Sequence, residues 1–253
     1  MTTPPASTAT RYQLSGWDLS ELLAEPSDEI IARELERLEQ AVVHFEKQRE
    51  ILSPAMEPEA FLAVMCEYEA LEDLMSVLGA YAHLWFCSDT QSSAAVGFRN
   101  HMQQTLTQVQ NRMLFFELWW QELEDEDADR LLPDGDPGNS SKNRQHDADL
   151  RHYLFNLRRY KPHTLDERSE QIINVKNADG IGAVLTIYSM LANRLEFSPE
   201  IDGERQVLTD GEMRSLFYSP DAEVRAEIHR ELFRVYERES AILAQAYSSR
   251  VRD

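Results

Sequence analysis

Three long stretches of this sequence carry apolar residues at spacings of three and four. Ile31, Leu35, Leu38, Val42 and Phe45 form the first. Phe61, Met65, Tyr68, Leu71, Met75, Leu78, Ala82 and Trp85 form the second. Phe98, Met102, Leu106, Val109, Met113, Phe116 and Trp120 form the third. A period near 3.5–3.6 residues puts each set on one side of a helix. A strand, whose side chains alternate every two residues, cannot gather them on one face. Short connections between such seams predict antiparallel helical hairpins. Punctuating residues are scarce, with 9 Gly and 10 Pro in 253 residues. That is well under the roughly 12% of an average protein and argues against a turn-rich β fold.

Local signals set the expected boundaries. Asp18–Leu23 reads as a short helix stopped near Pro26. Ser27 caps the next helix, and Asp28 and Glu29 suit its positive end. Pro58 fits a first helical turn. Thr164–Glu167 and Thr209–Glu212 have the hydroxyl and carboxylate spacing of a capping box. The first of these opens a helix expected to reach Asn193. Ser219-Pro220-Asp221 reads as a cap with proline in the first turn, starting a helix that runs almost to Asp253. Between them, Phe197–Ile201 and Glu204–Leu208 flank Asp202-Gly203, the signature of a tight hairpin. The expected fold is all-α, with long antiparallel hairpins and one small β-hairpin near residues 195–208. The expected organisation is a flexible tail over 1–14, helical hairpins over 15–124, an acidic loop or linker over 125–148, and a helical region over 149–253. The linker rests on eight acids against the single base Arg130 between Glu122 and Asp136, followed by the Pro133–Ser141 run of turn residues. The cluster lacks the alternating Asp/Asn pattern and terminal Glu of a calcium loop.

Charge and cysteines bound the function classes. A formal net charge of −20 repels phosphate backbones and anionic lipid surfaces, so neither nucleic acid nor membrane is an expected partner. No apolar run approaches the roughly 18 residues of a membrane span. Met1–Thr10 has no apolar core, so it does not read as a signal peptide. Cys66 and Cys87 lie on one predicted helix, about 30 Å apart at 1.5 Å per residue, which is too far for a disulfide. A reducing, cytoplasmic setting is expected.

Few residues offer chemistry. No histidine is followed by glutamate, and the nearest look-alike, His229-Arg230-Glu231, has Phe233 where a second zinc ligand would stand. His83 and Cys87 are one turn apart and could face one metal, but no third ligand is near in sequence, and packing beside Trp85 and Phe86 is the expected role. Gly180-Ile181-Gly182 reads as a close helix contact rather than a phosphate loop. Arg158, Arg159, Lys161 and His163 form the one basic cluster, expected either to form internal ion pairs or to contact a substrate or partner carboxylate. No catalytic or metal-ligating residue is assigned.

Leu157-Arg158-Arg159-Tyr160-Lys161-Pro162-His163-Thr164-Leu165, followed by Glu170-Gln171-Ile172-Ile173, resembles the oligoendopeptidase F branch of the zinc metallopeptidase family that includes thimet oligopeptidase. Trp17-Asp18-Leu19, Tyr81-Ala82 with Asp89-Thr90, Phe197, Asp202-Gly203, Leu208-Thr209 and Pro220-Asp221 with Arg225 are similar to that family in order, so the resemblance covers about residues 15–240. It implies a largely helical protein with a deep channel, in which a zinc-bound water hydrolyses short peptides. The family's His-Glu-x-x-His helix and later Glu lie downstream of the matched region, so none of its catalytic or zinc residues carries over. The chain is then expected to be the N-terminal portion, a wall of the channel that is inactive alone and associates with a catalytic portion. The acidic Glu122–Asp136 run reads as a local insertion. The alternatives are a stand-alone helical module that binds peptides or a protein, or a non-catalytic subunit.

Overall fold

The computed structural model describes residues 17–23, 27–132 and 141–252. Helix α1 (Asp28–Glu46) opens on Ser27, whose hydroxyl accepts from the Ile30 amide at 3.3 Å. Helix α2 (Pro58–Ser88) starts with proline, which has no amide proton to leave unpaired there. Helix α3 (Ser93–Glu122) is capped by Ser92. The apolar seams face one another. Phe61, early in α2, lies 5.0 Å from Trp120, late in α3, and Trp85, late in α2, lies 5.4 Å from Phe98, early in α3. The two helices therefore run antiparallel, as the short connection requires. Phe45 of α1 closes the third side, 5.5 Å from Phe115. Arg112 on α3 ties α1 from outside through Glu46 and Glu39, at 2.7 Å each.

Downstream come α4 (Asp125–Leu131), α5 (Ser141–Arg158), α6 (Glu167–Asn177), α7 (Ala183–Ala192), strands β1 (Glu200–Ile201) and β2 (Glu204–Arg205), α8 (Asp210–Leu216), α9 (Ala222–Arg238) and α10 (Ser240–Arg252). The strands pair antiparallel, Glu200 with Arg205 and Ile201 with Glu204, and a bridge joins Phe197 to Leu208. Asp202 and Gly203 take φ of 53° and 79°, the left-handed values a two-residue hairpin turn demands. The hairpin caps a second, smaller core of Leu195, Phe197, Met213, Ile228 and Val235. Among the described residues, the all-α fold with one small hairpin is thus as the sequence indicated.

Several boundaries differ. Residues 18–23 form a turn held by Ser20 and Asp18, not a helix, and Leu23 is buried. Part of the expected acidic loop is helical: Asp125–Leu131 buries Ala128 and Leu131, because two apolar residues one turn apart outweigh the surrounding charge. Helix resumes at Ser141, while 133–140, like the tail expected over 1–14, lies outside the described residues. The Thr164–Glu167 box does not form. Asp166 caps α6 by accepting from the Ser169 amide at 3.1 Å, which frees Glu167 to meet Arg49. The Thr209–Glu212 box does form. Asp221, rather than a residue before Pro220, caps α9. The final helix breaks at Glu239.

A polar group sits beside the first core. The Tyr68 hydroxyl donates to Glu117 at 2.6 Å and lies 3.3 Å from that of Tyr153 on α5. Burial, reinforced by Glu117 and Tyr153, raises the Tyr68 pKa far above its ordinary value. Burial first and the Glu117 charge second raise the Glu72 carboxyl, against the Tyr68 hydrogen bond.

Two outcomes follow from this arrangement. Phe116 is fully buried, so Phe116→Ala should cost about 3–5 kcal/mol in denaturant unfolding. The exposed Phe233→Ala should cost about 0.5 kcal/mol or less. A carboxyl raised on folding holds its proton longer than the unfolded chain does, so stability falls as pH rises from 4.5 through the raised value. Glu72→Gln should therefore raise the melting temperature near neutral pH, with the gain vanishing on the acid side of 4.5.

Candidate functional site

The basic cluster found in the sequence meets the end of α3. Its last carbonyls point past the helix with no helical partner, and they carry partial negative charge. Arg158, only 13% exposed, donates to the carbonyls of Trp120 (2.8 Å) and Leu123 (2.7 Å) and to Asp125 (2.6 Å). Lys161 reaches the carbonyls of Glu122 and Leu123 at 3.2 Å each. Thr164 binds Gln121 at 2.6 Å. Arg159 and His163 are exposed. The structure thus brings Arg158 and Lys161 together as a cap.

The same docking fixes the start of α6, and α6 and α7 then lie along α3 in an unusual way. Arg99, Gln103 and Asn111 follow one another at steps of four and eight residues on α3, along one i, i+4 row. Asn111 donates to the Gln171 carbonyl at 3.2 Å and accepts from Asn174 at 2.8 Å, while Gln171 donates back to the Asn111 carbonyl at 3.2 Å. Gln103 donates to the Ala178 carbonyl at 3.0 Å. Arg99 donates to Thr186, the one buried residue of α7, and lies over the Phe86 ring at 4.6 Å. Burial lowers the Arg99 pKa, and the Cys87 side chain opposes that. A π-helical turn, Ala178–Gly182, joins the two helices. A Cβ at Gly182 would collide with the Gln103 side-chain amide, so the close contact expected for this glycine pair is present.

These helices therefore turn polar residues inward and apolar ones outward. α6 buries no residue, and Ile172 is 60% exposed. On α7, Leu185, Ile187 and Tyr188 are exposed. A helix with an outward apolar face has a second surface to cover. Where α10 crosses α7, an open groove of about 410 Å³ is lined by Ile181, Val184, Leu185, Tyr188, Leu243, Ala246 and Tyr247. We take this face as the candidate site. Sequence reading missed it, although the polar stripe at 99, 103 and 111, beside the apolar seam of α3, was visible.

No set of three or more His, Cys, Asp or Glu side chains that could hold a metal ion occurs among the described residues. His83 and Cys87 are both exposed, 3.6 Å apart. His229 stacks on Phe217 at 4.8 Å. Both cysteines are free, and no helix among the described residues is long and apolar enough to cross a membrane.

Because α6 is held to α3 chiefly by hydrogen bonds centred on Asn111, Asn111→Ala should loosen α6 selectively. Hydrogen exchange should speed up in Glu167–Asn177 while the amides of Phe61–Ala82 keep their protection.

Comparison with known proteins agrees with this architecture. Residues 142–197 match the family described as oligopeptidase F. No curated protein matches. The crystal structure of oligoendopeptidase-F from Enterococcus faecium superimposes with a TM-score of 0.68 at 20% identity, over 90% of this chain and 43% of that one. The chain thus spans less than half the length of that relative. Residues 142–197 carry the sequence pattern of the oligopeptidase F family, as the resemblance around Arg158–Ile173 implied, and the chain shares the fold of the part of oligoendopeptidase-F on which it superimposes.

Proposed function

We propose that this chain is the N-terminal portion of a zinc-dependent oligoendopeptidase that hydrolyses short peptides. In this reading it walls the substrate channel and is inactive without a catalytic portion. The supporting observation is the reversed amphipathicity of α6 and α7, which falls within the segment that matches the family. Leu185 and Tyr188 are then the residues a catalytic portion covers.

A zinc peptidase centre needs three protein ligands, an open position for water, and a general base. The described residues do not supply that set. The zinc and the base accordingly belong to the catalytic portion, and no step of hydrolysis runs through this chain. Its part is to shape and exclude water from one side of the channel. A cytoplasmic setting is part of the proposal, supported by the two free, exposed cysteines.

The groove between α7 and α10 favours a second reading, a stand-alone module that binds peptides or a protein through apolar side chains. One experiment separates the two. The purified chain with added zinc should not cleave short quenched-fluorescence peptides. It should capture a polypeptide bearing the His-Glu-x-x-His motif, and Leu185→Asp with Tyr188→Asp should abolish capture without lowering the melting temperature. Zinc-dependent cleavage by the chain alone would overturn the proposal. Binding of short apolar peptides in the groove with no capture of the catalytic polypeptide would establish the module instead.

A further inference from the structure

We propose that His83 and Cys87 form a two-ligand surface site for a zinc ion, independent of the proposed function. Both lie on α2 one turn apart, so the helix itself sets their spacing and direction. Both side chains are exposed, and Cys87 Sγ stands 3.6 Å from His83 Nε2. Zinc bonds of about 2.0–2.1 Å to nitrogen and 2.3 Å to sulfur, at a tetrahedral angle, put the two ligand atoms roughly 3.5–3.6 Å apart. The pair already has the length of one edge of that tetrahedron, so binding requires little rearrangement of either side chain.

The donor set selects the ion. An imidazole nitrogen with a thiolate sulfur suits borderline and soft metals and discriminates against calcium and magnesium, which take oxygen ligands. Binding displaces the thiol proton to solvent, so one proton leaves for each ion bound at Cys87. Water fills the remaining positions, because no third His, Cys, Asp or Glu among the described residues joins the pair.

The nearby cation tempers the affinity. Arg99 lies over the ring of Phe86, the residue next to Cys87, and is anchored on Thr186. Its charge opposes a bound dication, so the site is weaker than a closed structural zinc site. Cys66 is an internal control. It is exposed on the same helix, but its neighbours one turn away, Leu62, Ala63, Glu69 and Ala70, include no imidazole.

The test is titration of the full chain with cobalt(II) under a phosphine reductant, followed by the near-ultraviolet thiolate-to-cobalt band and its displacement by zinc. The wild-type chain and Cys66→Ser should saturate at one cobalt per chain. Cys87→Ser should lose the band, and His83→Ala should bind at least tenfold more weakly. Circular dichroism should show all four proteins equally folded, since both sites are on the surface. Absence of the band in the wild-type chain, its persistence in Cys87→Ser, or equal affinity in His83→Ala would overturn the site.

Discussion

Helix α3 is the member on which the other elements depend, because it presents two different surfaces. One is the apolar seam ending in Phe116 and Trp120, which meets Phe45, Phe61 and Tyr68 in a continuous aromatic core. The other is the polar stripe of Arg99, Gln103 and Asn111, which receives α6 and α7 by hydrogen bonds. Apolar burial is non-directional and fixes proximity, whereas hydrogen bonds fix register. The first surface therefore builds the hairpin, and the second sets where the following helices lie along it. The end of α3 adds a third restraint. Its unpaired carbonyls take Arg158 and Lys161, so the turn leading into α6 is anchored where the helix stops.

This division explains why the apolar face of α6 and α7 is left outward. Gln171, Asn174 and Thr186 spend their polar groups on α3, and the helical period then points Ile172, Leu185 and Tyr188 away from it. The chain superimposes on 43% of the length of an oligoendopeptidase whose fold it shares. Trp120 shows how the polar and apolar devices combine. Its ring fills the core, and its indole N–H donates to the Leu154 carbonyl at 2.9 Å, which fixes the approach of α5.

Much of the fold could be read in advance, for identifiable reasons. The seams of α1, α2 and α3 are long and regular, so periodicity alone places them. Asp202-Gly203 is legible because only a few residue pairs accept two left-handed conformations in succession. The failures were local competitions. At Thr164 the hydroxyl found Gln121 and the Tyr160 carbonyl, and Asp166 took over the cap. At Asp125–Leu131 the acidic residues suggested a loop, but two buried apolar side chains and the Arg158 contact made a helix. The candidate face was hidden because an outward apolar stripe and an inward one have the same periodicity.

The sequence by itself determined the helical class, the hairpin, the absence of a zinc peptidase motif and the resemblance to oligoendopeptidase F. Each of these is a matter of spacing or of short-range conformational preference. Tertiary structure decided which side of each helix is buried and what the basic cluster does. These depend on partners distant in sequence: Asn111 for Gln171, Arg99 for Thr186, and Trp120 and Leu123 for Arg158. Helical period states that residues share a face, but only the packed neighbour states whether that face looks inward or out.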